Sequence, residues 1–440
     1  MKKLLLTAAA VMAASGTVFA QNGIKVLPNP SSDELIMFAV SPNGRYVGGY
    51  TNIDKQPAVY DTQENKLILV GEPEPDGDNH VRSISNDGKF VTIDGAMFAA
   101  DGTLLQNFGE EALPKGITAD GNIVVGAIIA EDGYTWNSCY WDGNTTVFLP
   151  EPSEKWAGWT SLDPDDPSTV QGSSADFVST DRSVIVGSIL DNMATYPLAI
   201  WRQNKDGKTY SLDFVSHRYF DNDFNGSRPY TYFQAGAMSP NGKWVALSIG
   251  KGDPETNEEN FGLARFNVDT EELETYFYNE ESGVQVAYAT GISDDGTLVG
   301  ISGGMMSQVG TIWEVGAETP VTLADRYPGV TQFAEYDEAG HMVGGISADG
   351  RYIVGYGYFY RDNGTIEDDS DDTAGYESYI FDTQDPGSTD AVKAVTTSTG
   401  KDRGEKKYTI YTLDGKQIKS HISGINIMRN SERAFKYLKK

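Results

Sequence analysis

The chain has 440 residues and a net charge of −29, from 34 Lys and Arg against 63 Asp and Glu. Residues 401–440 take 11 of the basic and 4 of the acidic residues, and two lysines open the chain, so the stretch between keeps 21 basic and 59 acidic residues, net −38. A body this acidic repels nucleic acid and anionic membrane surfaces, and a lone cysteine, Cys139, excludes an intramolecular disulfide, so packing alone must hold the fold.

The N-terminus reads as an export signal over residues 1–20. Lys2 and Lys3 precede a short apolar stretch from Leu4 to Ala14, and Val18-Phe19-Ala20 offers a cleavage site before Gln21. That stretch is too short to span a bilayer and no later segment is long enough, which predicts a mature chain without a transmembrane segment. No cysteine follows the cleavage site, so lipid attachment at a new N-terminal Cys is excluded. The predicted location is the exterior of the cell, free or held at the outer-membrane surface. GIKVL, residues 23–27, is the first candidate strand.

From there one pattern recurs: a small apolar strand, a Ser/Thr-x-Asp/Asn-Gly turn, and an apolar strand often ending in Gly. It reads FAVSPNGRYVGGY from Phe38, SISNDGKFVTI from Ser83, GITADGNIVVGA from Gly116 and FVSTDRSVIVGS from Phe177. GAMSPNGKWVALS from Gly236, GISDDGTLVGIS from Gly291 and GISADGRYIVGYG from Gly345 bring the copies to seven. Asn-Gly and Asp-Gly tolerate the positive φ of a tight hairpin. The fourth copy has Asp181-Arg182 instead, which predicts a turn built differently. A second hairpin follows most copies, with an aromatic near the end of its first strand: Tyr60, Trp141, Trp201, Phe266 and Trp313. Unit two has a shortened version, and unit seven ends in SYIFD from Ser378 with no obvious fourth strand.

Seven four-stranded antiparallel units predict an all-β, seven-bladed β-propeller over residues 21–387. Ring closure needs a complete last blade, and the strand at 23–27 is the segment free to supply it. A two-sheet sandwich fits seven equal units poorly, and an open solenoid would need a cap that is missing. GITADGNIVVG and GISADGRYIVG, each followed by an aromatic strand, resemble the HAF repeats of bacterial extracellular propellers and the wider S-x-D-G group. The resemblance covers residues 38–382 and implies the fold without an activity.

A small-polar linker, 388–400, leads to a basic tail, 401–440, predicted to form a small β-sandwich-like domain of three or four short strands with a turn at Asp414-Gly415. Tyr411 to Gly415, Gly424 to Ile427 and Lys436 to Lys440 resemble the C-terminal sorting domain of Bacteroidota type IX secretion cargo, with Asn426 where an aromatic is usual. The resemblance implies the type IX secretion machinery as a partner. A structural β-appendage is the alternative.

In four-stranded blades the first-to-second and third-to-fourth turns share one face, and here all of them are short. The long segments, 71–82, 129–137, 151–176, 216–235, 250–261, 325–343 and 357–376, belong to the opposite face, which makes that face the candidate binding side. Its candidate ligand-binding residues are Trp136, Trp156, Trp159, His217, Tyr219, Arg228, Tyr230, Tyr232, Tyr327 and His341, suited to stacking on sugars or anchoring a peptide. The alternative is that these rings pack the loops against the blades. Asp221, Asp223 and Asn225 before Gly226 match the first half of a calcium loop, but Tyr232 stands where the closing Glu belongs, so a solvated turn is the alternative and Ca2+ the only candidate cofactor. His80, His217 and His341 fall in blade-to-blade connections and could converge over the channel. The histidines lack metal-ligand spacing and no G-x-S-x-G elbow occurs. The sequence therefore points to a non-enzymatic glycan- or protein-binding module. A polysaccharide lyase or glycoside hydrolase using the same face, and a scaffold for cell-surface assembly, are the alternatives.

Overall fold

The computed structural model describes residues 23–30, 33–133, 135–151, 170–191, 198–213, 232–252, 259–278, 282–304, 307–361 and 373–385, together with tail strands at 409–411, 417–418, 424–429 and 434–439. The proposed signal peptide and linker lie outside these residues. The chain divides into two compact units, residues 1–386 and 387–440.

Each repeat turn is built from its own side chains. The Ser or Thr (Ser41, Ser85, Thr118, Ser179, Ser239, Ser293, Ser347) is fully buried. Its hydroxyl donates to the Asp or Asn two residues on at 2.5–2.8 Å. The fourth turn residue donates its N–H back to the Ser or Thr carbonyl at 2.8–3.1 Å. Six of these fourth residues are Gly at φ between 68° and 96°. Arg182 occupies the seventh at φ 65° with the same hydrogen bond to Ser179, so the fourth turn is not built differently. Its left-handed backbone costs about 1–2 kcal/mol. The side chain reaches Asp120 of the preceding turn at 3.2 Å, and its carbonyl accepts from the Tyr210 hydroxyl at 2.7 Å.

Among the described residues of the larger unit the strands form seven four-stranded antiparallel sheets. They begin with the innermost strands β2 (Leu35–Val40), β6 (Val81–Ile84), β10 (Ala112–Ile117), β14 (Val170–Val178), β18 (Tyr232–Met238), β22 (Val286–Ile292) and β26 (His341–Ile346). The third and fourth sheets are linked by a single parallel bridge, Trp136 with Gly172. The last sheet takes its outer strand from the N-terminus: β1 (Ile24–Val26) pairs with β28 (Thr373–Asp382), Ile24 opposite Phe381 and Val26 opposite Tyr379. The expected closure by the segment at 23–27 is therefore present. Each innermost strand packs on the preceding sheet, and β2 packs on β26, β27 (Tyr352–Arg361) and β28, which closes the ring.

The short-turn face is laced shut in the same order. Backbone N–H groups of Asn86, Thr180, Asp294 and Ala348 each donate to the carbonyl of Ala119, Pro240, Ala348 and Pro42 in the neighbouring turn, all at 2.8 Å. Pro42 and Pro240 have no N–H to give. There the following Asn takes over: Asn43 donates its backbone N–H and its amide to Asn86 (2.8 and 3.0 Å), and Asn241 does the same to Asp294. Arg182 with Asp120 completes the circuit.

The core lies between sheets. Tyr60, Trp141, Trp201, Phe266 and Trp313, the aromatics of the third strands, are all at most 3% exposed, and Cys139 is buried with its thiol pKa pushed up by burial. The connection before the last sheet is helical, which the strand repeat did not anticipate. Helix α1 (Leu323–Arg326) and helix α2 (Thr331–Ala339) put Leu323, Phe333 and Tyr336 into a cluster with Tyr379 and Phe381. In the smaller unit the described strands form one four-stranded antiparallel sheet rather than two stacked ones, in the order β30 (Gln417–Ile418), β29 (Thr409–Tyr411), β31 (Gly424–Arg429), β32 (Ala434–Lys439).

Candidate functional site

Every innermost strand of the ring carries a β-bulge at the same place, three residues before the turn Ser or Thr. The register against the second strand slips at Phe38, Arg82, Lys115, Asp176, Gly236, Thr290 and Gly344. A bulge leaves one residue unpaired and re-aims its side chain. Here all seven line the central channel, which encloses about 590 Å³.

The bulge also explains the Gly that ends many second strands. It drives a carbonyl of the innermost strand towards its neighbour, and a Cβ on Gly49 would lie 1.9 Å from the Ile36 oxygen, one on Gly187 1.8 Å from that of Ser174. Gly126, Gly300 and Gly355 face the corresponding carbonyls of Leu113, Tyr288 and Met342 at 2.1–2.3 Å. Bulge and glycine are one device.

What the seven positions present is uneven. Gly236 and Gly344 are pressed against the next strand, where a Cβ would meet the Ala289 oxygen and the Phe38 backbone. The second to fourth sheets, by contrast, supply Arg82, Lys115 and Asp176 in succession. Lys115 Nζ contacts Asp176 Oδ1 at 2.7 Å and stands 5.4 Å from the centroid of the Trp136 ring. Ser174 Oγ donates to the same Oδ1 at 2.7 Å, leaving Oδ2 without a partner among the described residues. Arg82 makes no hydrogen bond or ion pair with them. It is open to the channel, yet enough protein surrounds it for desolvation to lower its pKa against the pull of Asp176 and Asp78.

Beside this arc, at the end of the channel away from the short turns, stand Phe38, Tyr50 and His80, with ring centroids 5.4–6.2 Å apart. His80 Nδ1 lies 2.9 Å from the Asp78 carbonyl, which only accepts, so in the neutral ring Nδ1 carries the proton and Nε2 is an acceptor without a partner among the described residues. Desolvation and Arg82 lower the His80 pKa. The Tyr356 hydroxyl, also at the channel, is pushed up to about 12 by burial and by Tyr50 and Tyr376.

Of the residues singled out in the sequence, Trp136 belongs to this site, at the start of β12 (Trp136–Asp142). Tyr327 and His341 do not. Tyr327 is 8% exposed and packs 4.7 Å from Phe381, and His341 opens β26 at 1% exposure, with Nε2 2.6 Å from the Tyr379 hydroxyl and Nδ1 3.2 Å from Asp337. The two helices fold over them and turn a presumed loop into core, so His341 does not converge with His80. Trp156, Trp159, His217, Tyr219, Arg228 and Tyr230, and the calcium candidates Asp221, Asp223 and Asn225, lie outside the described residues, as does the side chain of Tyr232. No cluster of three or more metal-ligating side chains occurs among the described residues. Sequence reasoning missed Phe38, Arg82, Lys115 and Asp176, although a signal existed: a large or charged residue at the third position before the repeated Ser or Thr.

Fold and channel together define the larger unit as a β-propeller with a central cavity of ligand size. No protein family and no curated protein matches the chain. Among solved structures, the β-propeller domain of Cps50 (Swd1) from Myceliophteria thermophila is 10% identical, with a TM-score of 0.48, over 82% of this chain and 99% of that one. TolB from Acinetobacter baumannii is 10% identical with a TM-score of 0.39, and the match spans 62% of each chain. The propeller domain of the trilobed protease from Pyrococcus furiosus is 9% identical with a TM-score of 0.39, over 93% and 94%. These are likenesses of fold. The strand registers, not the neighbours, establish the architecture here. No described helix is long and apolar enough to cross a membrane.

Proposed function

We propose that this protein is a secreted or cell-surface propeller that acts as a non-enzymatic binding module, taking a glycan or protein ligand at the mouth of its channel on the long-loop side. The observation that carries the reading is the bulge ring. A structural device present in all seven sheets turns the same position towards one cavity, five of the seven carry side chains and all five differ, and packing gives no reason to bring Arg82, Lys115 and Asp176 together there. Flat rings beside hydrogen-bonding charged groups suit a ligand with both apolar faces and polar edges. Export by the N-terminal signal and sorting by the basic tail belong to the same proposal.

The test is a screen of the secreted protein against glycan and protein arrays, with turnover followed in parallel. Trp136→Ala and Tyr50→Ala should each weaken capture about tenfold. Ligand capture indifferent to both substitutions would refute the channel mouth as the site. One observation favours a carbohydrate-active enzyme as a second reading: Tyr50 and His80, their ring centroids 6.1 Å apart, stand beside Arg82, with His80 Nε2 able to accept a proton. Product formation abolished by His80→Ala would establish that reading over the first.

A further inference from the structure

The charged arc of the channel specifies what kind of ligand it would hold. Arg82 presents a planar fork of N–H donors that no described residue occupies. In a body of net charge −38, a guanidinium open to the channel and without an ion pair among the described residues is a ready partner for an anionic group. Asp176 and Asp78 attract it, but neither carboxylate forms an ion pair with it, and Asp176 Oδ1 is held by Lys115. Asp176 nevertheless keeps Oδ2 as an acceptor, and Phe38 lines the same cavity, with the Tyr50 ring against Phe38 and the Trp136 ring beside Lys115.

We infer that the channel mouth binds an acidic glycan, with the carboxylate of a uronic acid residue seated bidentate on Arg82 and a neighbouring sugar hydroxyl donating to Asp176 Oδ2. This rests on the binding reading above and names its ligand class. The chemistry separates a uronate from its competitors. A sugar ring carries one carboxylate flanked by hydroxyl donors and has C–H faces that pack on aromatic rings. That pattern matches one free fork, one free acceptor and adjoining rings. An acidic peptide brings carboxylates without adjacent hydroxyls, and its second carboxylate would face Asp176. A neutral glycan would leave Arg82 unpaired. A sulfate ester could also meet the fork through two of its oxygens, so it is separated from the uronate by titration.

The experiment is a titration of the mature full-length protein with short oligogalacturonates and oligoglucuronates, the same oligomers with their carboxyls reduced to alcohols, sulfated neutral oligosaccharides, and an oligoglutamate peptide. Wild type is expected to bind a uronate, with reduction of the carboxyls weakening it at least tenfold. Arg82→Met should produce the same loss for the uronate and leave the weak binding of the reduced oligomer unchanged. Asp176→Asn should weaken uronate binding less, since an amide oxygen still accepts. Arg82 supports nothing in the fold, so the melting temperature of Arg82→Met should match wild type and keep the result interpretable. Uronate affinity unaffected by Arg82→Met, equal affinity for reduced oligomers, or preference for the sulfated sugar or the peptide would each overturn the inference. Failure of every uronate to bind would overturn it too. An array ligand whose capture still depends on Trp136 and Tyr50 would then preserve the binding reading without this ligand class.

Discussion

The two ends of the innermost strands use repetition in opposite ways. At the short-turn face all seven units carry nearly the same side chains, and those side chains bond to the adjacent unit: Asn43 to Asn86 and Asn241 to Asp294 forward, Arg182 to Asp120 backward. Three residues upstream the backbone is just as uniform, a bulge in every strand, but the side chains are Phe, Arg, Lys, Asp, Gly, Thr and Gly, and among them only Lys115 and Asp176 pair. One end spends its side chains on closing the ring, and the other holds them clear of the fold. Identical chemistry marks where units must fit one another; diversity on an identical backbone marks where something else must fit.

That contrast can be broken in a graded way. The largest effect should come from a chain lacking residues 1–27, which loses β1 and leaves β28 with a bare edge. Ile24 and Leu27 are each 1% exposed, so their burial alone is worth about 3–6 kcal/mol. Thermal denaturation should show a steep fall in melting temperature and light scattering should show association through the exposed edge. A melting temperature equal to wild type would mean that the ring does not depend on this strand. Next, Gly187→Ala forces a Cβ against the Ser174 carbonyl and should cost about 1–3 kcal/mol or more in denaturant unfolding. If it costs nothing, the bulge and the glycine are not coupled.

Smaller effects should separate the two ends most cleanly. Asn241→Ala keeps the backbone N–H but removes the amide bond to the Asp294 carbonyl and the oxygen that accepts from Ser239 and Lys243, and should cost about 1–2 kcal/mol. Arg82→Met at the bulge should leave stability unchanged. Equal losses from the two would erase the distinction. The smallest effect is at Asp120. Desolvation raises its carboxyl pKa, but hydrogen bonds from Thr118, Asn122 and Arg182 outweigh that and hold it at about 2, below the ordinary 3.8. A depressed folded-state pKa stabilises above the ordinary value and the contribution is lost as pH falls from about 4 towards 2. Asp120→Asn should therefore flatten the acid limb of the stability profile in that window by lowering stability above about pH 4, and only slightly, because the pair with Arg182 is exposed to solvent. An unchanged acid limb would remove Asp120 from the turn circuit.

The hairpins and the all-β repeat were legible because each turn is a local object. Ser or Thr, Asp or Asn, and Gly satisfy one another within four residues, and a buried aromatic such as Trp201 follows in the third strand of most units. Even so, Arg182 shows the limit of turn chemistry read residue by residue: it adopts the same backbone as the six glycines, and a partner in the preceding unit helps it stay there. Tyr327 and His341 were misplaced because a long connection between strands looks like surface until it is known what it covers. Phe333 and Tyr336, three apart, were the trace of the helix that buries them.

The amino-acid sequence alone determined the strands, the turns and the segment needed to complete the last sheet, since alternation, β-branching and turn residues act over a few neighbours. Only the tertiary structure decided which side chains meet in the channel. Arg82, Lys115 and Asp176 are dozens of residues apart, and they share a cavity because seven bulges, each enforced by contact with an adjacent strand, rotate the same position towards one axis. Convergence of that kind is a property of the closed ring, and no single repeat contains it.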